Sequence, residues 1–225
     1  MINRFLSAYL DPISRLQELI YGVLIVMTFT MAFKAVGTHD DVTVGAQEVS
    51  QMFLAAFGCT VAWGFIDGVM SVLTNLASRG QANRMVRAVQ AAPDHDAALA
   101  AIAGELDDTL DPITSDEERQ RIYAGVLVQV KDNTLQPVGV ERDDIYGAIG
   151  LVIISIIATL PVLVPLLFVR DPNFAIRLSN IIAIVMLFAA GFYYGKAVGT
   201  RPLINGLTVA GIGVIMVLVA IPLGG

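Results

Sequence analysis

The stretch "GCTVAWGFIDGVMSVLTNLAS", residues 58–78, is long and apolar enough to cross a bilayer, yet it carries Asp67 near its middle. A helix needs about 20 such residues to span the hydrocarbon core. An ionised carboxylate at the centre of that span costs roughly 2.5–3.5 kcal/mol even on insertion scales. The segment therefore makes the chain a membrane protein and poses the question of what Asp67 does.

The composition agrees. The chain has 225 residues, of which 56% are hydrophobic and 15% charged, whereas soluble domains are about a quarter charged. A single cysteine, Cys59, leaves no disulfide framework within the chain, and His39 and His95 are the only histidines. A metal would have to be held by carboxylates, amides, carbonyls or thioethers.

Four further segments reach spanning length, at about 17–36, 145–169, 174–196 and 203–223, with the second span taken as about 50–78. The expected fold is all-α: a polytopic membrane protein with five transmembrane helices and a small helical cytoplasmic domain between helices 2 and 3. Its divisions are an N-terminal interfacial segment (1–14), helices 1–2 (15–78), the acidic cytoplasmic domain (79–144) and helices 3–5 (145–225). Ile2, Phe5, Leu6, Tyr9 and Leu10 recur at helical spacing, so the first segment reads as a short helix ending at Asp11-Pro12. A cytoplasmic N-terminus places eleven of the fourteen cations inside, leaving Lys34, Arg170 and Arg177 outside. That favours an N-in, C-out orientation.

Residues 79–144 hold thirteen of the twenty acids. "QANRMVRAVQAA" continues the helix of the second span, with Met85, Val86 and Val89 on one face. Pro93-Asp94 breaks it, with Asp94 or Asp96 as N-cap of the next helix. Ser115 and Glu118 form a capping box before a third. Glu105, Asp107, Asp108 and Asp111 are the tightest acidic group, with 105/108 and 108/111 one turn apart. They read either as a solvated acidic surface or as a cation-collecting site.

On the second span Thr60, Gly64, Asp67, Ser71, Thr74 or Asn75, and Ser78 fall on one stripe. A polar stripe in lipid must face other helices or a water-filled path. Helix packing accounts for Thr60, Gly64 and Ser71. Asp67 is read as a point on an ion or proton path, or as a structural partner of Lys34 or an Asn. The first span adds Glu18, Met27, Thr28, Thr30 and Met31. Met27 and Met31 are one turn apart and could ligate a soft or borderline cation beside Asp67, or simply pack. Glu18 is either part of the path or a solvated interfacial acid. Pro161 and Pro165 are expected to kink the third span, and Asn180, Tyr193, Tyr194 and Asn205 add polar groups to the last two. The candidate path is thus Asp67, Met27, Met31, Thr28, Glu18 and Asn75, and the candidate metal ligands are Asp67, Glu105, Asp108 and Asp111.

No phosphate loop, nucleophile elbow, zinc-protease or dinucleotide motif occurs, so an enzyme is not expected. Basic patches for nucleic acid are missing too, and the net charge of −6 opposes phosphate backbones.

"DPISRLQELIYGVLIVMTFT" (11–30), "FGCTVAWGFIDGVMSVL" (57–73) and "RLSNIIAIVMLFAAGFYYGKAVGTRP" (177–202) resemble a divergent bacterial branch of the vacuolar iron transporter family. The resemblance covers nearly all of the chain from Asp11 onward, and it implies a place in a bacterial cell membrane. It implies a homodimer that moves ferrous iron, or manganese, out of the cytosol in exchange for protons. The metal would pass between the two copies of the first span, with Glu and Met of the cytoplasmic domain gathering it. Fe2+ or Mn2+ is then cargo, with no cofactor permanently bound. Where the family carries an Asp in the first span this chain has Ile25. The family's second-span Glu corresponds to the region of Cys59, and its E-x-x-E pairs to Glu105/Asp108. The expectation is that Asp67 takes over the missing charge. The contrasting expectation is a non-transporting membrane scaffold or metal-responsive regulator that kept the fold.

Overall fold

The computed structural model describes residues 2–37, 46–131, 135 and 137–220, with the side chains at 2–3, 32–37, 46–48 and 220 outside that description. Lys34 as a partner for Asp67, along with His39, therefore lies outside the described side chains. Among the described residues the secondary structure is entirely helical: α1 (Ile2–Tyr9), α2 (Pro12–Gly37), α3 (Ala46–Gln90), α4 (His95–Leu110), α5 (Asp116–Lys131), α6 (Arg142–Phe168), α7 (Pro172–Ala197) and α8 (Pro202–Ala220). Five of these, α2, α3, α6, α7 and α8, are long and apolar enough to cross a membrane. The chain is a helical polytopic membrane protein.

Helix starts follow local chemistry. An Asp-Pro pair opens both α2 and α7, the proline supplying a preset φ where an N–H is not needed. Asp11 Oδ1 accepts from the backbone N–H of Ile13 (2.8 Å) and Ser14 (3.0 Å), and Asp171 Oδ1 does the same for Asn173 (2.9 Å) and Phe174 (3.2 Å). The Ser14 hydroxyl beside Asp11 also holds that carboxyl below its ordinary pKa. Gly199, at φ 72°, makes the tight turn from α7 into α8, a left-handed conformation that suits glycine. α6 runs through Pro161 and Pro165 to Phe168 as one helix.

The chain divides into two compact units, residues 1–71 with 142–225, and residues 72–141. In the first, Val23, Val26 and Met27 of α2 pack with Met52 and Ala56 of α3, Val162 and Leu163 of α6, and Ala183 and Leu187 of α7. The α7–α8 hairpin closes on small residues: a methyl at Gly191 would stand 2.8 Å from Asn205 O, and one at Gly206 3.0 Å from Phe188 O. α1 packs on α6: Leu6, and Leu10 just beyond the helix, are buried against Leu151 and Ile154. Tyr9 stacks at a tilt between Phe5 and Tyr146.

In the second unit Val89, Ala98, Ile102, Tyr123, Leu127 and Val130 form a small core, with Met85 and Val86 packed against it. Asp94 caps α4 by accepting from Ala97 N at 2.8 Å. Ser115 and Glu118 form the capping box at α5.

Candidate functional site

Three helices of the membrane unit meet at Ser155. A methyl group on Gly64 of α3 would stand 2.8 Å from Ser155 Oγ and 3.0 Å from Val152 Cα. One on Gly68 would lie 3.1 Å from the Ala148 carbonyl oxygen. From α2, Gly22 makes the matching approach, 3.3 Å from Thr159 Cγ2 and 3.6 Å from Ser155 O. Glycine at these positions lets α2 and α3 lie directly on α6, as small residues do at membrane helix crossings. The carboxyl side chains one turn away on α2 and α3 are thereby forced inward.

Glu18 is one turn before Gly22, and it is 1% exposed. It is therefore no solvated interfacial acid. Its Oε1 accepts a short hydrogen bond from the Ser155 hydroxyl. Asp67, half-buried between Gly64 and Gly68, has its carboxyl group within hydrogen-bonding reach of Glu18. While both carboxyls are ionised neither has a proton to offer, and Glu18 Oε2 is enclosed with no donor among the described residues. The pair is completed by a proton shared between the two groups or by a cation placed between them. Trp63, one turn before Asp67, also has an enclosed Nε1–H without an acceptor. Its ring meets Tyr21 edge-on at 6.2 Å.

The remaining candidates are distributed elsewhere. Met27 is fully buried, its Sδ 3.6 Å from where a methyl on Gly213 of α8 would lie. Nine residues separate it from Glu18, about two and a half turns, so the two leave α2 on opposite sides. Met31 shares the same hydrophobic core. The Thr28 hydroxyl is exposed and bonds its own helix at Leu24 O (2.9 Å). Thr30 is the interior threonine, its hydroxyl near Met27 O (2.9 Å) and Asn180 Oδ1 (3.3 Å). Of the six path candidates, Glu18 and Asp67 meet each other, Met27 and Met31 share a hydrophobic core, and Asn75 belongs to the other unit.

In that second unit the acids gather around a cation. Arg119 is in short contact with Asp111 and Asp116 and lies 3.8 Å from Asp107. Tyr123, 1% exposed, donates a short hydrogen bond to Asp107, which raises the phenol's pKa above its ordinary value. Glu105 accepts from Gln81 Nε2 at 2.9 Å, and Asp108 is exposed. Among the described residues no three His, Cys, Asp or Glu side chains converge.

Ser155, Trp63 and the glycines Gly22 and Gly68 escape a reading of the sequence. Ser155 is a lone hydroxyl in "IISII", and only the crossing of α2 and α3 over it gives it a partner. The one available signal was that Glu18 and Asp67 each stand one turn from a glycine or between two.

What fold and site define together is a class: a helical membrane protein with an enclosed carboxyl pair at a three-helix crossing. Comparison with protein-family models and with curated proteins finds no match.

Proposed function

We propose that the protein is a proton-coupled transporter of divalent transition-metal cations, Fe2+ or Mn2+, exporting them from the cytosol across a bacterial cell membrane as a homodimer. The observation that carries this reading is the Glu18–Asp67 pair. A buried carboxylate oxygen with no donor, beside a second carboxyl, takes up either a proton or a cation, and one site that binds the two alternately is the minimum for exchange. The Ser155 hydroxyl places a further oxygen beside Glu18, of the kind a hard or borderline cation takes. The excess of cations in the segments assigned to the cytosol supports the N-in orientation, and export from the cytosol follows from the resemblance. The dimer follows from the resemblance of residues 11–30, 57–73 and 177–202 to the iron-transporter family.

The test is metal-dependent proton flux in proteoliposomes of the full chain, comparing wild type with Asp67→Asn and Glu18→Gln. Wild-type flux that both substitutions abolish supports the proposal. Flux unchanged in either variant removes that residue from the mechanism.

A second reading draws on the small number of ligands. With two carboxyls at the crossing, and no third His, Cys, Asp or Glu beside them among the described residues, the pair could serve only as a structural hydrogen bond in a non-transporting scaffold or metal-responsive regulator. Liposomes with no metal flux in the wild type, together with metal-dependent changes in the full chain's protease sensitivity, would favour that reading.

A further inference from the structure

The membrane unit carries a second feature, unrelated to the carboxyl pair. A cleft of about 780 Å³ lies between α1, α2, α6 and α7, within the size range of sites that hold whole small molecules. Its walls are apolar, formed by residues such as Leu16, Leu19, Ile157, Pro161 and Met186. Ile157, Pro161 and Tyr193 are exposed, so the cleft opens sideways from the helix bundle, toward the acyl chains in a membrane.

Two cations stand at one end of it, Arg15 near the start of α2 and Lys196 near the end of α7. Neither has a carboxylate partner among the described residues. The nearby acid, Asp11, is committed to capping α2, and it meets Arg15 only through its backbone carbonyl (3.4 Å from Nε). The Lys196 ammonium is held over the Phe192 ring at 5.2 Å and near the Tyr193 ring at 6.0 Å. The contacts with aromatic faces fix the charge without neutralising it.

The length of the cleft is informative. Met186 and Lys196 are ten residues apart on α7, about 15 Å along the axis. That is half of the roughly 30 Å hydrocarbon core, or one leaflet. Cations at the interfacial end and an apolar trough reaching the midplane match the two parts of a single membrane lipid. A basic pocket between membrane helices is the recognised form of an anionic headgroup site.

We infer that this cleft is a binding site for an anionic glycerophospholipid, with the phosphate between Arg15 and Lys196 and an acyl chain along Leu16, Leu19, Ile157 and Pro161.

Native mass spectrometry of the purified full-length protein tests the site. Phosphatidylglycerol and phosphatidylcholine with the same acyl chains are added in equal amounts, with water-soluble glycerol phosphate as a third arm. One phosphatidylglycerol retained per chain, on the order of tenfold over phosphatidylcholine, is the expected result. The Arg15→Gln/Lys196→Gln variant should lose the preference, and Lys196→Arg should keep it. Equal retention of both lipids by the wild type overturns the proposal, and this arm needs no variant to fold. A preference that survives the double substitution also overturns it, as does displacement of the lipid by glycerol phosphate, which would put the headgroup at a site without the cleft. If Ile157→Trp disrupts a dimer and leaves lipid retention unchanged, the cleft is a chain–chain contact and the proposal fails.

Discussion

The two acidic places in this molecule are built on opposite terms. In residues 72–141, Asp107, Asp111 and Asp116 share one arginine, Arg119, and remain largely exposed, with water and a counter-charge both at hand. At the helix crossing of the membrane unit, Glu18 has neither: it is buried, its one clear donor is a serine hydroxyl, and its neighbour is another acid. The first arrangement is satisfied by water and by its arginine as it stands. The second is finished only when something positive arrives, so chemistry is expected there despite the smaller number of acids.

The largest effect should come from supplying the missing donor permanently. Glu18→Gln places an N–H beside Asp67, so the fold should hold or gain about 1 kcal/mol in detergent unfolding while proton-coupled flux is lost. A variant that is stable and fully active would break the contrast. Met27 tests whether the first-span methionines belong to the site. Met27→Ala should destabilise by roughly 2–5 kcal/mol through a cavity. Met27→Leu should cost under about 1.5 kcal/mol and leave metal affinity unchanged. A Met27→Leu protein that folds normally but loses metal would return that thioether to the path. Gly64→Val forces a side chain against Ser155 and the Val152 backbone, with an expected loss of about 1–3 kcal/mol and an impaired carboxyl pair.

Smaller effects belong to the exposed cluster. Arg119→Gln should change stability by no more than about 1 kcal/mol, and less at high salt, since exposed ion pairs contribute little. Tyr123→Phe removes the donor to Asp107. Because the phenol's folded pKa lies above 10.0, the hydroxyl's contribution is complete below that pH and lost as pH rises through the folded value. The difference in Tm between wild type and Tyr123→Phe should therefore be constant through neutral pH and close only in strong alkali. A difference that closes in acid instead would assign the effect to Asp107.

Much of the architecture is legible from local chemistry. The five spans, the break at Pro93, the Asp94 cap and the Ser115/Glu118 box each depend on residues within a few positions of one another. The carboxyl pair depends on residues 49 positions apart in sequence, and on where Gly22 and Gly64 allow helices to cross; no periodicity within α2 or α3 encodes that. For Met27 and Met31 one-turn spacing marks a face without saying which face, so the sequence leaves ligation and packing both open. The answer came from α7 and α8, whose Leu187 and Gly213 receive the thioether of Met27. On the polar stripe of the second span Thr60 and Gly64 are buried while Thr74, Asn75 and Ser78 are exposed, and the spacing alone does not say which member meets a carboxyl.

The Ser155 hydroxyl owns a single hydrogen. With the pair ionised it points that hydrogen at Glu18 Oε1; with Glu18 protonated on that oxygen, the same hydroxyl must turn and receive. Its orientation is therefore a one-bit record of occupancy, written on α6 rather than on either helix that carries a carboxyl. Infrared difference spectra taken on metal addition should show the serine O–H band moving together with the carboxyl C=O band, and Ser155→Ala should erase the first while leaving the second.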